Sequence, residues 1–140
     1  MKKIPIRTKS FSRLVEGNYY FVDKTLMIKE FLDRGTDVTL ITRPRRFGKT
    51  INMSMMAEFF DITKDSREIF KGTKIMETPY VAEINQYPTI FISFADAKRD
   101  KETVVSTIRT QIQIQWDQYD FVFENLKGFK KINYERLMKY

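Results

Sequence analysis

The sequence predicts an α/β fold in which a parallel sheet is flanked by helices. Three observations support this: the element order is helix–strand–loop–helix–strand–helix, two runs of β-branched and apolar residues are typical of buried strands, and a Gly-Lys-Thr turn opens the central helix. Only two strands are strongly indicated. Because a parallel sheet needs both of its faces covered, we expect this sheet to be incomplete.

Composition restricts the chemistry that this chain can perform. Its 140 residues are 42% hydrophobic and 31% charged, which is typical of one globular domain. It contains no cysteine and no histidine. Disulfides, thiolate metal sites and the commonest general base are therefore excluded. Phosphate-directed chemistry would depend on Lys, Arg, hydroxyl groups, backbone amides and a hard cation such as Mg²⁺.

The first predicted elements are an extended arm and a helix. Between Ile4 and Tyr20 the pattern is mixed, and it indicates only a short strand or arm near Tyr19–Val22. The stretch VDKTLMIKEFLDRG then predicts a helix that Asp23 or Thr25 caps and that Gly35 ends. Its apolar face is predicted to comprise Leu26, Ile28, Phe31 and Leu32.

The next pair of elements is a strand, DVTLIT, and a helix from Lys49 to about Phe60. The strand prediction depends on β-branched residues that end at Thr42. The helix prediction depends on apolar residues spaced four apart, and the stripe comprises Ile51, Met55 and Phe59, widened by Met56 and Phe60. After it, residues 61–80 are polar and predict only short helical pieces.

The remaining chain predicts a second buried strand and a long helix. Pro88 precedes the strand, whose centre is Ile90–Phe94. The core face of the long helix is predicted to comprise Val104, Ile108, Ile112 and Trp116, extended by Val105, Tyr119 and Phe123. We expect the glutamines of this helix to be solvated. Gly128 interrupts the pattern, and residues 133–140 predict another helix.

The loop between the first strand and its helix, TRPRRFGKT, resembles a phosphate-binding loop of the strand–GxxxxGK[ST]–helix kind. Unpaired amides at a helix start bind anions, and Gly48 lets a backbone approach without a Cβ in the way. Lys49 would contact phosphate oxygens, and the Thr50 hydroxyl would help to hold Mg²⁺. This loop favours the P-loop NTPase-like version of the predicted fold.

The loop departs from that pattern at its entrance. Arg43 occupies the position of the first glycine, and Pro44 pushes it toward an extended conformation. Arg45 and Arg46 add positive charge. On the residues alone, the alternative is a solvated basic turn that is followed by a helix start.

Several separated segments resemble the predicted AAA-ATPase-like family of bacterial and archaeal proteins. They are YYFVDKTLMIKEFLDRGTDVTLITRPRRFGKTINMSMMAEFFD, FKGTKIM and NQYPTIFISFADAK, which together extend from Ile4 to at least Lys98. In that family RPRRFGKT is a usual form of the Walker A loop. The resemblance therefore implies that the arginine at position 43 is a family trait.

The resemblance implies an ATP- and Mg²⁺-binding core, often followed by a nuclease-like region. Residues 1–36 would form an N-terminal linker and helix, and residues 37–140 a fragment of the nucleotide-binding core. The Walker A residues would be Arg43, Pro44, Arg45, Arg46, Phe47, Gly48, Lys49 and Thr50, with Thr50 at the metal.

Catalytic residues are not assigned in this chain. The resemblance puts the acidic Walker B strand beyond Tyr140, so Asp96 is expected to cap a helix or act as a neighbour of the site. Hydrolysis is expected only in the complete protein. Tyr19, Tyr20 and Phe21 could stack beside the base, although burial in the core is the favoured alternative.

A net charge of +7 favours anionic partners. One alternative function is a basic module that binds nucleic acid, and the other is an interaction fragment without a ligand. No membrane span and no secretory signal are indicated, which predicts a cytoplasmic protein. An incomplete sheet would favour homo-oligomers formed through an exposed sheet edge or an apolar face.

Overall fold

The computed structural model describes residues 3–5, 8–44, 47–93, 101–121, 128 and 131–132. The chain divides into two compact units, Met1–Thr89 and Ile90–Tyr140. In the described residues the first unit contains α1 (Phe11–Glu16), α2 (Leu26–Arg34), α3 (Lys49–Phe60), α4 (Arg67–Phe70) and two 3₁₀ helices, η1 (Lys74–Glu77) and η2 (Pro79–Glu83). The second contains α5 (Lys101–Gln118). The predicted division at residue 36 stays a prediction.

The predicted parallel sheet is wrong. Within the described ranges the chain is helical, and its strand-like pairing consists of two isolated bridges, Lys3 with Tyr19 and Asp61 with Tyr87. The P-loop NTPase-like sheet, and an exposed sheet edge as a route to oligomers, are therefore absent from the part of the chain that the structure describes.

The predicted strand DVTLIT illustrates the physical reason. Val38 and Leu40 are each 83% exposed, although the sequence pattern predicts them to be buried. β-branched residues favour extended backbone, but a strand also needs a neighbour that accepts and donates its ladder hydrogen bonds. No described residue pairs with this segment, so it runs as unpaired chain between α2 and the loop.

Helix α1 was not expected from the sequence. Ser10 begins it, because its hydroxyl accepts a hydrogen bond from the Arg13 amide at 3.5 Å. Phe11 and Leu14 are buried on one face, and the Phe11 amide donates to the Ser54 hydroxyl of α3 at 3.1 Å. A serine followed by apolar residues three apart is the signal that would have predicted it.

Helix α3 confirms its predicted apolar face, and α2 confirms its own except at Leu26, which is 38% exposed. Gly35 ends α2 in the left-handed conformation, with φ of 54°, where a residue without a Cβ is least strained. Ile28 of α2 is fully buried, as are Met55 and Phe59 of α3. The predicted short helical pieces after α3 are confirmed as α4, η1 and η2.

The core of the first unit is aromatic. The Phe59 ring lies 5.3 Å from Phe70 and 5.2 Å from Phe60 in edge-to-face geometry, and the Phe11 ring lies 5.1 Å from Phe70. Such pairs contribute about 0.5–1.5 kcal/mol each beyond the burial of their area. These contacts join α1, α3 and α4, and they fix the helix whose first turn carries the candidate site.

A polar cluster fixes the other end of α3. Buried Glu58 accepts hydrogen bonds from the Ser66 hydroxyl at 2.8 Å and from the Lys64 ammonium at 2.7 Å. The Asn85 amide donates to the Asp61 carbonyl at 2.8 Å and accepts from the Ser66 amide at 2.9 Å. These hydrogen bonds satisfy the buried polar groups from within the fold, so the cluster stabilises the fold and is not a candidate ligand site.

In the second unit, two glutamines of α5 bind an extended segment. Gln111 accepts from the Ser93 amide at 2.8 Å and donates to its carbonyl at 2.7 Å, while Gln115 accepts from the Phe91 amide at 3.2 Å. The prediction of solvated glutamines is wrong for these two. Their spacing of four brings both amides to one face of the helix, where they replace strand partners.

The core face of the long helix is confirmed at Val104, Ile108, Ile112 and Trp116, which are half-buried, and at Tyr119, which is buried. It is wrong at Val105, which is 49% exposed. Phe123, Asp96 and the predicted helix over 133–140 lie outside the described residues. Among the helices that the structure describes, none is both long and apolar enough to cross a membrane.

Candidate functional site

The first turn of α3 carries the best candidate site. Gly48 precedes it with φ of 75°, a left-handed conformation that strains any residue with a Cβ. The Asn52 amide donates the first helical hydrogen bond, to the Gly48 carbonyl at 2.9 Å. The amides before it lack acceptors within the helix, as at any helix start, so the turn is positively polarised.

Lys49 closes the loop that leads into this helix. Its ammonium donates hydrogen bonds to the backbone carbonyl of Arg43 and, at 3.4 Å, to that of Pro44. A lysine side chain that bridges back across five and six residues is held close to the loop backbone. The ammonium is nevertheless exposed, so an anion could replace the carbonyls as its partner.

A cleft of about 960 Å³ lies against this loop. One wall is a face of α2 and the residues before it, comprising Lys24, Met27, Glu30, Phe31 and Arg34. A second group of lining residues belongs to α3 and comprises Lys49, Asn52, Met53 and Met56. The chain from Thr39 to Arg43, together with Phe47, forms the third side. This volume suits a small-molecule ligand.

The cleft is cationic. Its charged lining residues are Lys24, Arg34, Arg43 and Lys49, against the single carboxylate of Glu30. In the described part of the chain none of the four cations makes a salt bridge. Several positive charges at one cleft without carboxylate partners favour an anionic ligand.

The structure brings part of the predicted Walker A loop to the cleft. Arg43, Phe47 and Lys49 line it. Pro44 and Gly48 do not, but the first supplies a carbonyl to Lys49 and the second sets the start of the helix. Thr50 is exposed on the first turn and is not among the lining residues. Arg45 and Arg46 lie outside the described residues.

The contribution of α2 was missed by sequence reasoning. Lys24, Glu30 and Arg34 face the cleft with Met27 and Phe31, at intervals of three, four and seven. Phe31 also belongs to the core face that the apolar pattern predicts, so this stripe overlaps that face. The spacing of the charged residues indicates that they share one face of α2. The sequence does not show which other element that face would meet.

Tyr19, Tyr20 and Phe21 were predicted either to stack beside a base or to be buried in the core. The structure places these three residues in different environments. Phe21 packs against Phe11 of the core with ring centres 5.5 Å apart. Tyr19 is half-buried and Tyr20 is exposed. None of the three lines the cleft. The core alternative is confirmed for Phe21, and Phe31 and Phe47 are the aromatic residues at the cleft.

Asp23 anchors the start of the α2 wall. Its carboxylate accepts from the Thr25 amide and hydroxyl at 2.9 and 2.7 Å, and from the Lys74 amide at 2.9 Å. Partial burial raises the pKa of Asp23, but the hydrogen bonds from Thr25 and Lys74 outweigh it, so its pKa lies below the ordinary 3.8. Thr25 in turn accepts from the Ile75 amide at 3.1 Å.

A protein-only metal site is not found in the described part of the chain, where no three acidic side chains are grouped to hold an ion. A Mg²⁺ ion bound without such a group would need oxygen atoms from its other ligands and from water to complete its octahedron. The Thr50 hydroxyl, adjacent to Lys49, is the group in this loop that could contribute.

Comparison with known proteins identifies the family. The family model described as "Predicted AAA-ATPase" (AAA-ATPase_like) matches residues 5–140, nearly the whole chain. The chain belongs to the AAA-ATPase-like family. The recognition made from RPRRFGKT and its flanking segments is thereby confirmed.

One curated relative of this AAA-ATPase-like chain is an uncharacterized protein encoded in the vnfD 5′ region of Azotobacter chroococcum mcd 1. The two are 37% identical over 75 residues, which are 53% of this chain and 14% of that relative. The matched chain thus spans a small part of the relative's length. No solved structure matches the chain.

Proposed function

We propose that this AAA-ATPase-like chain binds a nucleoside triphosphate, ATP in the first instance, with Mg²⁺. The segment from Arg43 to Thr50 acts as the Walker A loop, and the phosphate chain lies at the first turn of α3. This proposal depends on the loop and the helix start, and it needs no sheet.

One observation carries the proposal: the ammonium of Lys49, the first residue of α3, donates hydrogen bonds to the Arg43 and Pro44 carbonyls of the loop that leads into this helix. A triphosphate offers stronger, anionic acceptors than two neutral carbonyls do. The amides of the first turn would donate to the same phosphate oxygens. Family membership and the unpaired cations of the cleft support the same ligand.

Mg²⁺ enters this proposal through Thr50. Its hydroxyl follows Lys49 directly, and it would coordinate an ion that bridges the β- and γ-phosphates. Thr50 is exposed and outside the core, so an ion could bind there without rearranging the core. A single hydroxyl from the chain cannot replace the water ligands that Mg²⁺ loses on binding. We therefore expect the metal to bind together with the triphosphate, whose oxygens are further ligands.

Hydrolysis belongs to the complete protein in this proposal. It requires a carboxylate that orients the attacking water, and no described residue near Lys49 is assigned to that role. Among the described residues Glu30 is the only acidic one that lines the cleft, and a single carboxylate does not form a metal cluster. A cytoplasmic location remains the prediction made from the sequence.

Thermal unfolding with and without ATP and Mg²⁺ tests the proposal. Ligand at one hundred times its Kd stabilises the native state by about 2.7 kcal/mol and raises Tm. Lys49→Met is expected to abolish that increase. Lys71→Met, at a surface lysine paired with Glu68, is the matched control and should retain it. A wild-type Tm that ATP and Mg²⁺ leave unmoved would favour the ligand-free interaction fragment.

The nucleic-acid alternative has a different signature. Binding to a phosphate backbone weakens steeply with salt because counterions are released. It would also tolerate Lys49→Met, since many cations share the contact. A titration of fluorescently labelled single- and double-stranded DNA at two salt concentrations therefore separates the two functions. Tight binding that Lys49→Met leaves unchanged would support the nucleic-acid module.

A further inference from the structure

We infer that Tyr80 is a positioning residue for the cleft: through its contact with Asp33 it holds Arg34 of α2 in place for an anionic ligand. This inference rests on the proposed function and adds to it a residue outside the cleft that sets the affinity of the site. Tyr80 belongs to η2 and does not line the cleft.

A polar contact joins η2 to α2. The Tyr80 hydroxyl donates a hydrogen bond to the Asp33 carboxylate, and the Lys29 ammonium, one turn earlier in α2, donates to the same carboxylate. The Lys29 nitrogen also lies 6.0 Å from the centre of the Tyr80 ring. The hydrogen bonds from Lys29 and Tyr80 hold the pKa of Asp33 below its ordinary value, so the ionised carboxylate accepts both of them at neutral pH.

The Tyr80 ring is held by the core. It packs against the aromatic core of the first unit, as does Met76 of η1. Because this packing restricts the ring, the hydroxyl offers Asp33 a hydrogen-bond donor at a defined place. The contact therefore ties an exposed part of α2 to a well-packed part of the fold.

The contact acts on the last turn of α2, where Asp33 and Arg34 are neighbours. Arg34 lines the cleft, and in the part of the chain that the structure describes it makes no salt bridge. The helix ends at Gly35, and terminal turns fray unless tertiary contacts hold them. A contact that fixes Asp33 also fixes the backbone that carries Arg34.

The start of the same cleft wall is bound to η1. The Asp23 carboxylate accepts from the Lys74 amide at 2.9 Å, and the Thr25 hydroxyl accepts from the Ile75 amide at 3.1 Å. Lys24, the other cation that this wall contributes to the cleft, lies between Asp23 and Thr25 in the chain. Each cation of the wall thus adjoins a residue that η1 or η2 holds, so these two short helices position charge without lining the cleft.

Calorimetric titration of the full chain with ATP and Mg²⁺ tests the role of Tyr80. Tyr80→Phe keeps the packed ring and removes the hydroxyl, so we expect it to fold and to bind ATP about two- to fivefold more weakly. Tyr87→Phe is the matched control, because the Tyr87 hydroxyl also donates to a carboxylate, that of Glu83, and neither residue lines the cleft. It should change the affinity less than about 1.5-fold.

A double-mutant cycle with Arg34→Gln separates positioning from general destabilisation. Arg34→Gln should itself weaken ATP binding about three- to tenfold, because it removes a charge from the cleft. In that background Tyr80→Phe should weaken binding less than about 1.5-fold further, since the group that it positions is absent. Equal weakening by Tyr80→Phe in both backgrounds would overturn the inference, as would an Arg34→Gln variant that binds like wild type.

Two variants of Asp33 give a second readout. Asp33→Asn and Asp33→Ala both remove the charge, but only asparagine keeps an oxygen that can accept from the Tyr80 hydroxyl. We therefore expect Asp33→Ala to bind ATP about two- to fivefold more weakly than Asp33→Asn. Equal affinities of these two variants would contradict a positioning hydrogen bond.

The outcomes distinguish the inference from the proposed function. ATP binding that Lys49→Met abolishes and Tyr80→Phe leaves unchanged would overturn the positioning role and leave the nucleotide site standing. A wild-type chain that does not bind ATP would overturn the proposed function and the inference with it. If Tyr87→Phe weakened binding as much as Tyr80→Phe, the contact with α2 would have no special role and the inference would also be wrong.

Discussion

The ammonium of Lys49 donates a hydrogen bond to the backbone carbonyl of Arg43, six residues earlier in the chain. This contact shapes the loop before any ligand binds, because it ties the start of α3 to the point where the extended chain ends. The ammonium that the proposed ligand would contact is therefore held on the loop that leads directly into α3.

Amide hydrogen exchange should report the binding of ATP and Mg²⁺ at this turn. We expect exchange of the Lys49, Thr50 and Ile51 amides to slow about tenfold or more at saturation, since phosphate oxygens would accept their hydrogens. The amides of α4, Arg67–Phe70, are the internal reference and should slow only as much as the overall stabilisation of the fold requires, and so less than those of α3. Equal slowing in both helices would instead indicate global stabilisation without a contact at α3.

Glu30 should oppose the binding of a polyanion. In the part of the chain that the structure describes it is the only acidic residue lining the cleft, so Glu30→Gln removes a repulsive charge while keeping the side chain's shape. We expect affinity for ATP and for tripolyphosphate to rise about two- to fivefold, and more at low salt. Glu16→Gln, at an exposed position of α1, is the control. A loss of ATP affinity alone would instead assign Glu30 a hydrogen bond to the base.

The pKa of Asp23 predicts a pH-dependent contribution to stability. Because its folded pKa lies below the ordinary 3.8, the ionised carboxylate stabilises the fold above that pH, and the contribution is lost as pH falls through the folded pKa. Asp23→Ala should lower the free energy of unfolding by about 1–2 kcal/mol at pH 7, a modest value because the carboxylate is partly exposed.

Urea unfolding at several pH values measures this difference. The gap between wild type and Asp23→Ala should narrow as the pH falls below 3.8. Asp65→Ala, at an exposed carboxylate, should differ little from wild type at neutral pH. A gap that is the same at pH 7 and at pH 3 would mean that Asp23 acts through packing and not through its charge.

Asn85 should be important for stability through its side chain as well as its backbone. It has φ of 57°, and its amide contacts the Glu58 and Asp61 carbonyls and the Ser66 amide. Asn85→Gly keeps the backbone unstrained and removes these bonds, which should cost about 2–4 kcal/mol in urea unfolding. Asn85→Ala should cost about 1 kcal/mol more, since alanine is strained there.

Asn18 offers the control for that series. It also has a positive φ, of 49°, but it is exposed and its side chain makes no hydrogen bond in the described part of the chain. Asn18→Gly should therefore change the free energy of unfolding by less than about 0.5 kcal/mol. If both glycine variants were equally stable, the hydrogen bonds of Asn85 would contribute nothing measurable.

At α3 the sequence prediction and the structure agree. The spacing of Ile51, Met55 and Phe59 predicts both the helix and its buried face, because a helical period repeats within a few turns and needs no distant partner. The Gly48-Lys49 turn is likewise defined by neighbouring residues and needs no distant partner. These features could be predicted from a single sequence.

The strands could not be predicted in this way. Val38 and Leu40 have the composition of a buried strand, yet they are exposed, because a strand exists only where another segment pairs with it. The same dependence on partners explains Gln111 and Gln115, whose amides bind Ser93 and Phe91 where strand neighbours were expected.

The sequence by itself determined the family, the helices of regular period and the Gly-Lys-Thr turn, since each of these is encoded by residues close together in the chain. The tertiary structure alone decided that the face of α2 with Glu30 and Arg34 lies across a cleft from Lys49 and Met53. That arrangement joins residues about twenty positions apart through the packing of both helices on one aromatic core. Helical spacing specifies which residues share a face, and only packing specifies what that face meets.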